Sequence, residues 1–266
     1  MKERWALVCI RYIMNRKFFI IPLLLFLAIP VSNKAQDMAA LFQQAQQHEA
    51  RFNDKEALEV YIQMLRHQPN NIQALCKASE LHALLGRRLP TKGEQTEYYK
   101  LARSYAQQAL KVNPNLAEAN FVMSFALGRI ALIASGDERI NAVKDIKNYA
   151  EKAVRLDPSH YKGYHVLGKW HYEVSNLNAV ERWLLKMAYG SLPASSLDLA
   201  IRNFEKSRQL NPSFLLNYLE LARSYDRKDE TKKAIELLNL MMKLPQTSSN
   251  DANIKDSGKK LLAKLQ

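Results

Sequence analysis

The residues of this chain that could do chemistry are six histidines, two pairs of adjacent carboxylates and one dense polar and aromatic cluster. A metal needs several ligands converging on one point. His165 and His171 are six residues apart, on neither the same nor opposite faces of a helix, and no His-Glu-x-x-His arrangement occurs. The other four histidines are scattered, so no metal site is expected. Asp137-Glu138 and Asp229-Glu230 fall where helices should begin, and carboxylates there meet the positive end of the helix dipole rather than acting as an acid–base pair. Neither a Gly-rich phosphate loop nor a Gly-x-Ser-x-Gly elbow is present, so neither an enzyme nor a cofactor is expected. What remains is Lys169-Trp170-His171-Tyr172-Glu173, with Arg223 and Asp226 in a later segment of similar pattern. Lys and Arg donors beside a tyrosine suit an anionic group or an extended peptide.

The elements that must position these residues are read from a repeat. Five segments carry a small or apolar residue, another four on, another three further, and then a proline. They are Ala57, Tyr61, Met64, Pro69; Ala102, Ala106, Ala109, Pro114; Ile146, Ala150, Ala153, Pro158; Ala200, Phe204, Ser207, Pro212; and Ala234, Leu238, Met241, Pro245. This is the second half of a tetratricopeptide (TPR) unit, a helix pair that buries its faces only by stacking on copies of itself. The first helix of each unit should carry a bulky residue and a small one four on. Tyr164 with Gly168 and Tyr218 with Ala222 fit fully, Leu41 with Ala45 and Leu75 with Ser79 in part, and Asn120 with Ser124 least well. Asn113-Pro114, Asp157-Pro158 and Asn211-Pro212 place a turn-forming residue before each break.

Composition agrees. The 266 residues are 47% hydrophobic, and with only 8 Gly and 9 Pro they favour long helices over strands. The expected fold is all-α: a TPR-like α-solenoid of about five helix pairs over residues 37–266, with an extra helical insert and a C-terminal capping helix over 251–264. Intervals of 45, 44, 54 and 33 residues between the prolines exceed the usual repeat of about 34 in three units. In the first two the helices should run on, joined at 87–93 and 135–137. In the third, Asn178 to Tyr189 reads as an added amphipathic helix with Val180, Trp183, Leu184 and Met187 at helical spacing.

The N-terminus reads separately. Asn15, Arg16 and Lys17 form a basic start, Phe18 to Ile29 an apolar run, and Pro30 to Gln36 a polar exit with a small residue at Ala35. The apolar run falls short of the roughly 20 residues that span a bilayer. Residues 1–36 are therefore expected to be a signal peptide cleaved near Ala35 or Gln36, with a membrane anchor as the alternative; Met14 makes residues 1–13 fit an upstream start. The chain is expected to be exported to the periplasm. Of the two cysteines, Cys9 precedes the apolar run and Cys76 falls in a helix as a small core residue, leaving no internal disulfide. The net charge of +13 falls to +8 for residues 37–266, compatible with a solvated surface or with anionic lipid; nucleic acid is not expected.

The fourth unit is more specific. Leu167-Gly168-Lys169-Trp170-His171-Tyr172-Glu173-Val174-Ser175-Asn176-Leu177, then Ala188 to Ser195, then Leu197, Ala200, Phe204, Leu210 and Asn211-Pro212-Ser213-Phe214, resembles the regulator of microtubule dynamics family. The resemblance implies a TPR-like array used for protein or membrane contacts, with no catalytic set to carry over. Its eukaryotic members are linked to microtubules and organelle membranes. This chain departs from them in its secretory signal and in a single Pro193 where members often carry two prolines.

Two functions follow as expectations. The first is a noncatalytic scaffold binding a protein or peptide in its concave groove, with Lys169, Tyr172, Arg223 and Asp226 lining it from first helices. The second is a carrier of lipid or another apolar ligand, or a membrane tether, motivated by Phe121, Phe125, Trp170, Tyr172 and Trp183 and by the basic surface. Trp170 is expected to pack the insert against the array.

Overall fold

Small residues at fixed positions along a helix let a neighbouring backbone approach, and this rule organises the chain. A computed structural model describes residues 33–190 and 194–266; the expected signal segment, apart from residues 33–36, and Cys9 lie outside them. Twelve helices and no strand occur among the described residues. They are α1 (Asn33–Ala50), α2 (Asp54–His67), α3 (Ile72–Gly86), α4 (Lys92–Val112), α5 (Ala117–Ile133), α6 (Gly136–Leu156), α7 (Tyr161–Val174), α8 (Ala179–Tyr189), α9 (Leu197–Leu210), α10 (Leu215–Arg227), α11 (Thr231–Lys243) and α12 (Asp251–Leu265). The pairs are α1/α2, α3/α4, α5/α6, α7/α9 and α10/α11, with α8 as the insert and α12 as the cap.

All fifteen positions of the second-helix pattern are buried, from Ala57, Tyr61 and Met64 to Ala234, Leu238 and Met241. Gly168 shows why size is restricted: a Cβ there would stand 2.6 Å from the Phe204 ring of the partner helix. Gly258 on the cap is filled in the same way by the Met241 side chain.

The turns between units repeat atom for atom. Asn113, Asp157 and Asn211 each donate a backbone N–H to the carbonyl four residues back, at 2.9 Å, which ends the helix. Their side-chain oxygens then accept from the N–H of Asn115, Ser159 and Ser213. Asn120, the poorest match in the sequence, has a physical reason. Its Nδ2 donates to the Pro114 carbonyl at 3.0 Å, the bond that the Tyr218 hydroxyl makes to Pro212 at 2.9 Å two units later. A short amide and a long phenol close the same turn.

The first two inserts are long helices, as the sequence suggests: α4 and α6 each run 21 residues. The third is α8, started by a capping box in which Asn178 accepts from the Glu181 N–H and Glu181 from the Asn178 N–H. Only Leu185 of this helix is buried among the described residues; Val180, Trp183, Leu184 and Met187, the apolar row read from the sequence, face solvent. Trp170 is buried against the Leu185 side of the insert and its Nε1 donates to the Val143 carbonyl at 2.8 Å.

The two ends of the array meet. Arg88, in the α3–α4 connection, donates through Nε to Asn250 Oδ1 at 3.1 Å and through Nη2 to Asp54 and to Ser249, both at 2.5 Å. The first helix pair is thereby tied to the segment that leads into the cap.

Replacing Gly168 with Val should lower stability by about 1–3 kcal/mol through overpacking. Gly93, which has nothing within 4 Å of its Cβ position, should accept Ala without loss. Urea unfolding of the two variants checks the contrast.

Candidate functional site

Between α5, α7 and α10, the first helices of three successive pairs, lies a cleft of about 500 Å³. Its walls come from α5, α6, α7, α8 and α10, with Arg87 at the end of α3. Most of the surface is apolar: Phe125, Leu132, Ile140, Val143, Val166, Trp170, Val174, Leu184 and Leu185. Gly128 also faces it, and a Cβ on that residue would meet no atom within 4 Å, so the floor of the cleft is open at this point. Volume and lining fall in the range of sites that hold one small molecule.

Charge is unevenly balanced there. Five cations, Arg87, Arg129, Arg139, Lys169 and Arg223, line the cleft with three carboxylates, Glu173, Glu181 and Glu220. Glu220 is buried and receives Lys169 Nζ at 2.8 Å and Arg223 Nη1 at 2.7 Å. Burial pushes its carboxyl up, but the two cations more than offset this and hold it below the usual carboxylate range. Lys169 also reaches Glu173 at 2.8 Å, and Arg139 lies 3.6 Å from Glu181. The two cations expected to greet an anion are therefore already shared around an internal one.

Arg129 is different. No carboxylate lies within ion-pair distance of it among the described residues, although the charge of Glu220 acts on it from further away, and its Nε is buried without a hydrogen-bond acceptor. Its guanidinium lies 4.8 Å over the Phe125 ring. Burial, then the charge of Arg87, pushes its pKa down to about 10, which leaves it cationic at neutral pH. An enclosed cation with a vacant donor on an apolar wall is complementary to an anionic head on an apolar body.

Of the four expected groove residues, Lys169 and Arg223 line the cleft and are brought together by Glu220. Tyr172 lies outside it, its ring between Lys169 Nζ at 5.2 Å and the Arg227 guanidinium at 5.1 Å. Asp226 is not part of the lining. Among the aromatic residues, Phe125 and Trp170 form the wall, Phe121 is core, and Trp183 faces outward. The sequence reading missed Arg129 and Gly128, whose only local signal is a Gly-Arg step inside an apolar helix. It also missed Arg227, which donates to the carbonyls of Tyr172 and Ser175 at 3.0 and 2.9 Å and so closes α7 where the insert begins.

His165 lies between the Phe204 and Phe214 rings with Nδ1 3.0 Å from Asn217 Oδ1, and His171 stands edge-on to Trp170. The two histidines have separate surroundings. Cys76 is buried, and burial pushes its thiol up to about 12. Glu230 holds the N-cap position of α11 and pairs with Lys228 and Lys233, a surface arrangement.

Fold and cleft together define a TPR-type helical-repeat protein. A thermophilic TPR protein of Thermus thermophilus superposes with a TM-score of 0.56 at 14% identity, over 87% of this chain and 98% of that one. Pseudomonas aeruginosa pilF gives 0.50 at 15% identity, over 88% and 93%. Within that class, the family described as Regulator of microtubule dynamics protein 1-3 matches residues 41–266, and the chain belongs to this family. Regulator of microtubule dynamics protein 1 of Caenorhabditis elegans is 30% identical over 162 residues, 61% of this chain and 72% of that protein. The human protein 2 is 24% identical over 174 residues, 65% of this chain but only 42% of that protein.

His165 and His171 both have pKa values lowered to about 4, burial being the leading cause in each. An unfolded histidine titrates near 6.5, so the stability these two contribute is complete above that value. It falls as acid protonates the unfolded chain first, down to about pH 4. Each histidine should add up to about 1.4 kcal/mol of loss per pH unit in this window. Thermal melts of the wild type and His171→Phe from pH 7 to 4.5 should show a shallower decline in the variant.

Proposed function

We propose that this chain is a noncatalytic scaffold of helical repeats whose concave cleft binds an elongated apolar molecule with an anionic head. The tail lies along Phe125, Val166 and Trp170, and the head meets Arg129 with Arg87 beside it. The observation that carries this reading is the Arg129 guanidinium, enclosed on an apolar wall and lacking a carboxylate partner among the described residues. The basic excess of residues 37–266 supports an anionic ligand in the same sense.

An extended peptide in the same groove is the second reading. It is favoured by Lys169, which is partly exposed, and by Asp226, which makes no side-chain hydrogen bond or ion pair among the described residues. The microtubule link in the relatives' names is a property of those proteins, and the chain spans 42% of the human protein 2. Export to the periplasm with loss of residues 1–36 belongs to this proposal. It predicts that the intact mass of protein from its native host begins near Gln36 or Asp37; an uncleaved mass confined to membranes would replace export by anchoring.

Gly128 allows a clean test of the ligand. Gly128→Leu projects a side chain into the cleft from a position whose Cβ would meet no atom within 4 Å, and leucine is favoured over glycine in a helix by about 0.8 kcal/mol, so the variant should show no large loss of stability in a thermal melt. It should lose at least tenfold in affinity for a fluorescent long-chain carboxylate such as parinaric acid, and so should Arg129→Leu. Solvent extraction and mass spectrometry of the wild type should return a stoichiometric apolar anion. Unchanged binding in both variants, or recovery of a peptide instead, would sink the carrier reading.

A further inference from the structure

Asn217 fixes the proton of a histidine that lines the cleft. Its Nδ2 donates to the buried Phe204 carbonyl at 2.8 Å. A carbonyl only accepts, so the amide cannot be turned the other way round, and its Oδ1 is the atom that stands 3.0 Å from His165 Nδ1. That oxygen in turn only accepts. Nδ1 therefore carries the hydrogen, and Nε2 of the neutral ring is left with a bare lone pair. Burial is the leading cause that lowers the pKa of this ring to about 4, so the neutral form persists at neutral pH.

Nε2 accepts no hydrogen bond from the described residues and is not sealed from solvent, and His165 lines the cleft, so the lone pair opens into it. The ring is held in that pose. Phe204 and Phe214 stand with their centroids 5.4 and 4.9 Å from it. The charges of Glu220, Lys169 and Arg129 all act on His165, which puts it at the charged end of the cleft rather than along the apolar wall. At that end Arg129 offers a donor, and Glu220 is already taken by Lys169 and Arg223. Nε2 is an acceptor without a donor. Water satisfies such an atom in an open cleft; an alkyl chain laid across it removes the water and returns nothing, whereas a ligand hydroxyl or amide N–H replaces the bond.

We infer that the ligand of this cleft carries a hydrogen-bond donor close to its anionic head, and that His165 Nε2 selects for it. The inference rests on the reading of the cleft as a site for an apolar anion and narrows that class. Two kinds of molecule share the required chemistry: a long-chain acid with a hydroxyl on its β-carbon, and an N-acyl amino acid, whose amide N–H lies equally close to the carboxylate. In either, Arg129 meets the carboxylate, Nε2 accepts from the donor, and the chain runs past Phe125 and Trp170. A plain fatty acid presents only C–H bonds to the lone pair. Arg129 thus attracts every acid alike, while His165 tells one acid from another.

Displacement of parinaric acid from the full chain measures the selection with matched pairs of competitors. β-Hydroxymyristate should compete about fivefold better than myristate and than β-methoxymyristate, which keeps the oxygen but has no hydrogen to donate. Lauroylglycine should outcompete lauroylsarcosine, its N-methyl counterpart, by a similar factor. Preference within the first pair alone assigns a hydroxyl, and within the second alone an amide. His165→Asn keeps a nitrogen donor where Nδ1 stands and has no atom at Nε2, so the preference should vanish; His165→Gln puts an oxygen acceptor where Nε2 stands and should keep it. Thermal melts confirm that both variants fold, and the pairs decide on the wild type if either does not. If parinaric acid binds but neither pair is discriminated, the donor is overturned and the reading of the cleft survives. No binding of parinaric acid overturns both. A preference that persists in His165→Asn takes the selection away from His165 and overturns its role.

Discussion

Everything in this array depends on how closely paired helices approach, and that distance is set by residues that have almost no side chain. Gly168 lies against the Phe204 ring with no room for a methyl group, and the equivalent positions of the other units hold the small buried residues Ala45, Ser79, Ser124 and Ala222. Close approach brings dispersion contacts along whole helices. It also fixes the angle at which each pair stacks on the next. The concave wall is built from the outward faces of those helices, so cleft width follows from contacts on their other side.

Electrostatics of the concave face follow from the same stacking. Glu220 on α10 is carried into reach of Lys169 on α7, and a buried carboxylate between two cations is stable only because both arrive together. Lys162 on α7 and Glu80 on α3 form a second such pair across the array. These links consume the charges that a reader of the sequence would assign to a ligand. Arg129, on α5, is left over, and its enclosure beside Phe125 makes it the group with most to gain from an incoming anion.

The repeats were legible because each is local. A proline, a turn-forming residue before it and three small or apolar positions identify a unit without reference to any other, and the fifteen positions named in this way are all buried. Asn120 looked like a defect because pattern matching weighs size; the amide satisfies the Pro114 carbonyl by a different route. The spacing of Val180, Trp183, Leu184 and Met187 revealed a helix but not its orientation, since periodicity says which residues share a face and nothing about what covers it. The cleft was the least legible part. It draws on five helices and on Arg87 just beyond α3, and whether Lys169 is free or Arg129 paired depends on residues far away in the chain, as Glu220 is from Lys169.

Arg88 changes the physics of the assembly. Repeat arrays are ordinarily linear, each unit feeling only its neighbours, so terminal units fray first and leave the middle intact. Here Asp54, Arg88, Ser249 and Asn250 join the first pair to the segment before the cap, and the line acquires a periodic boundary. Neither α2 nor the segment between α11 and α12 can peel away without cutting that knot, and the loop it closes resists being stretched or wound tighter. A spring has become a hoop, whose bore is held from outside its own wall.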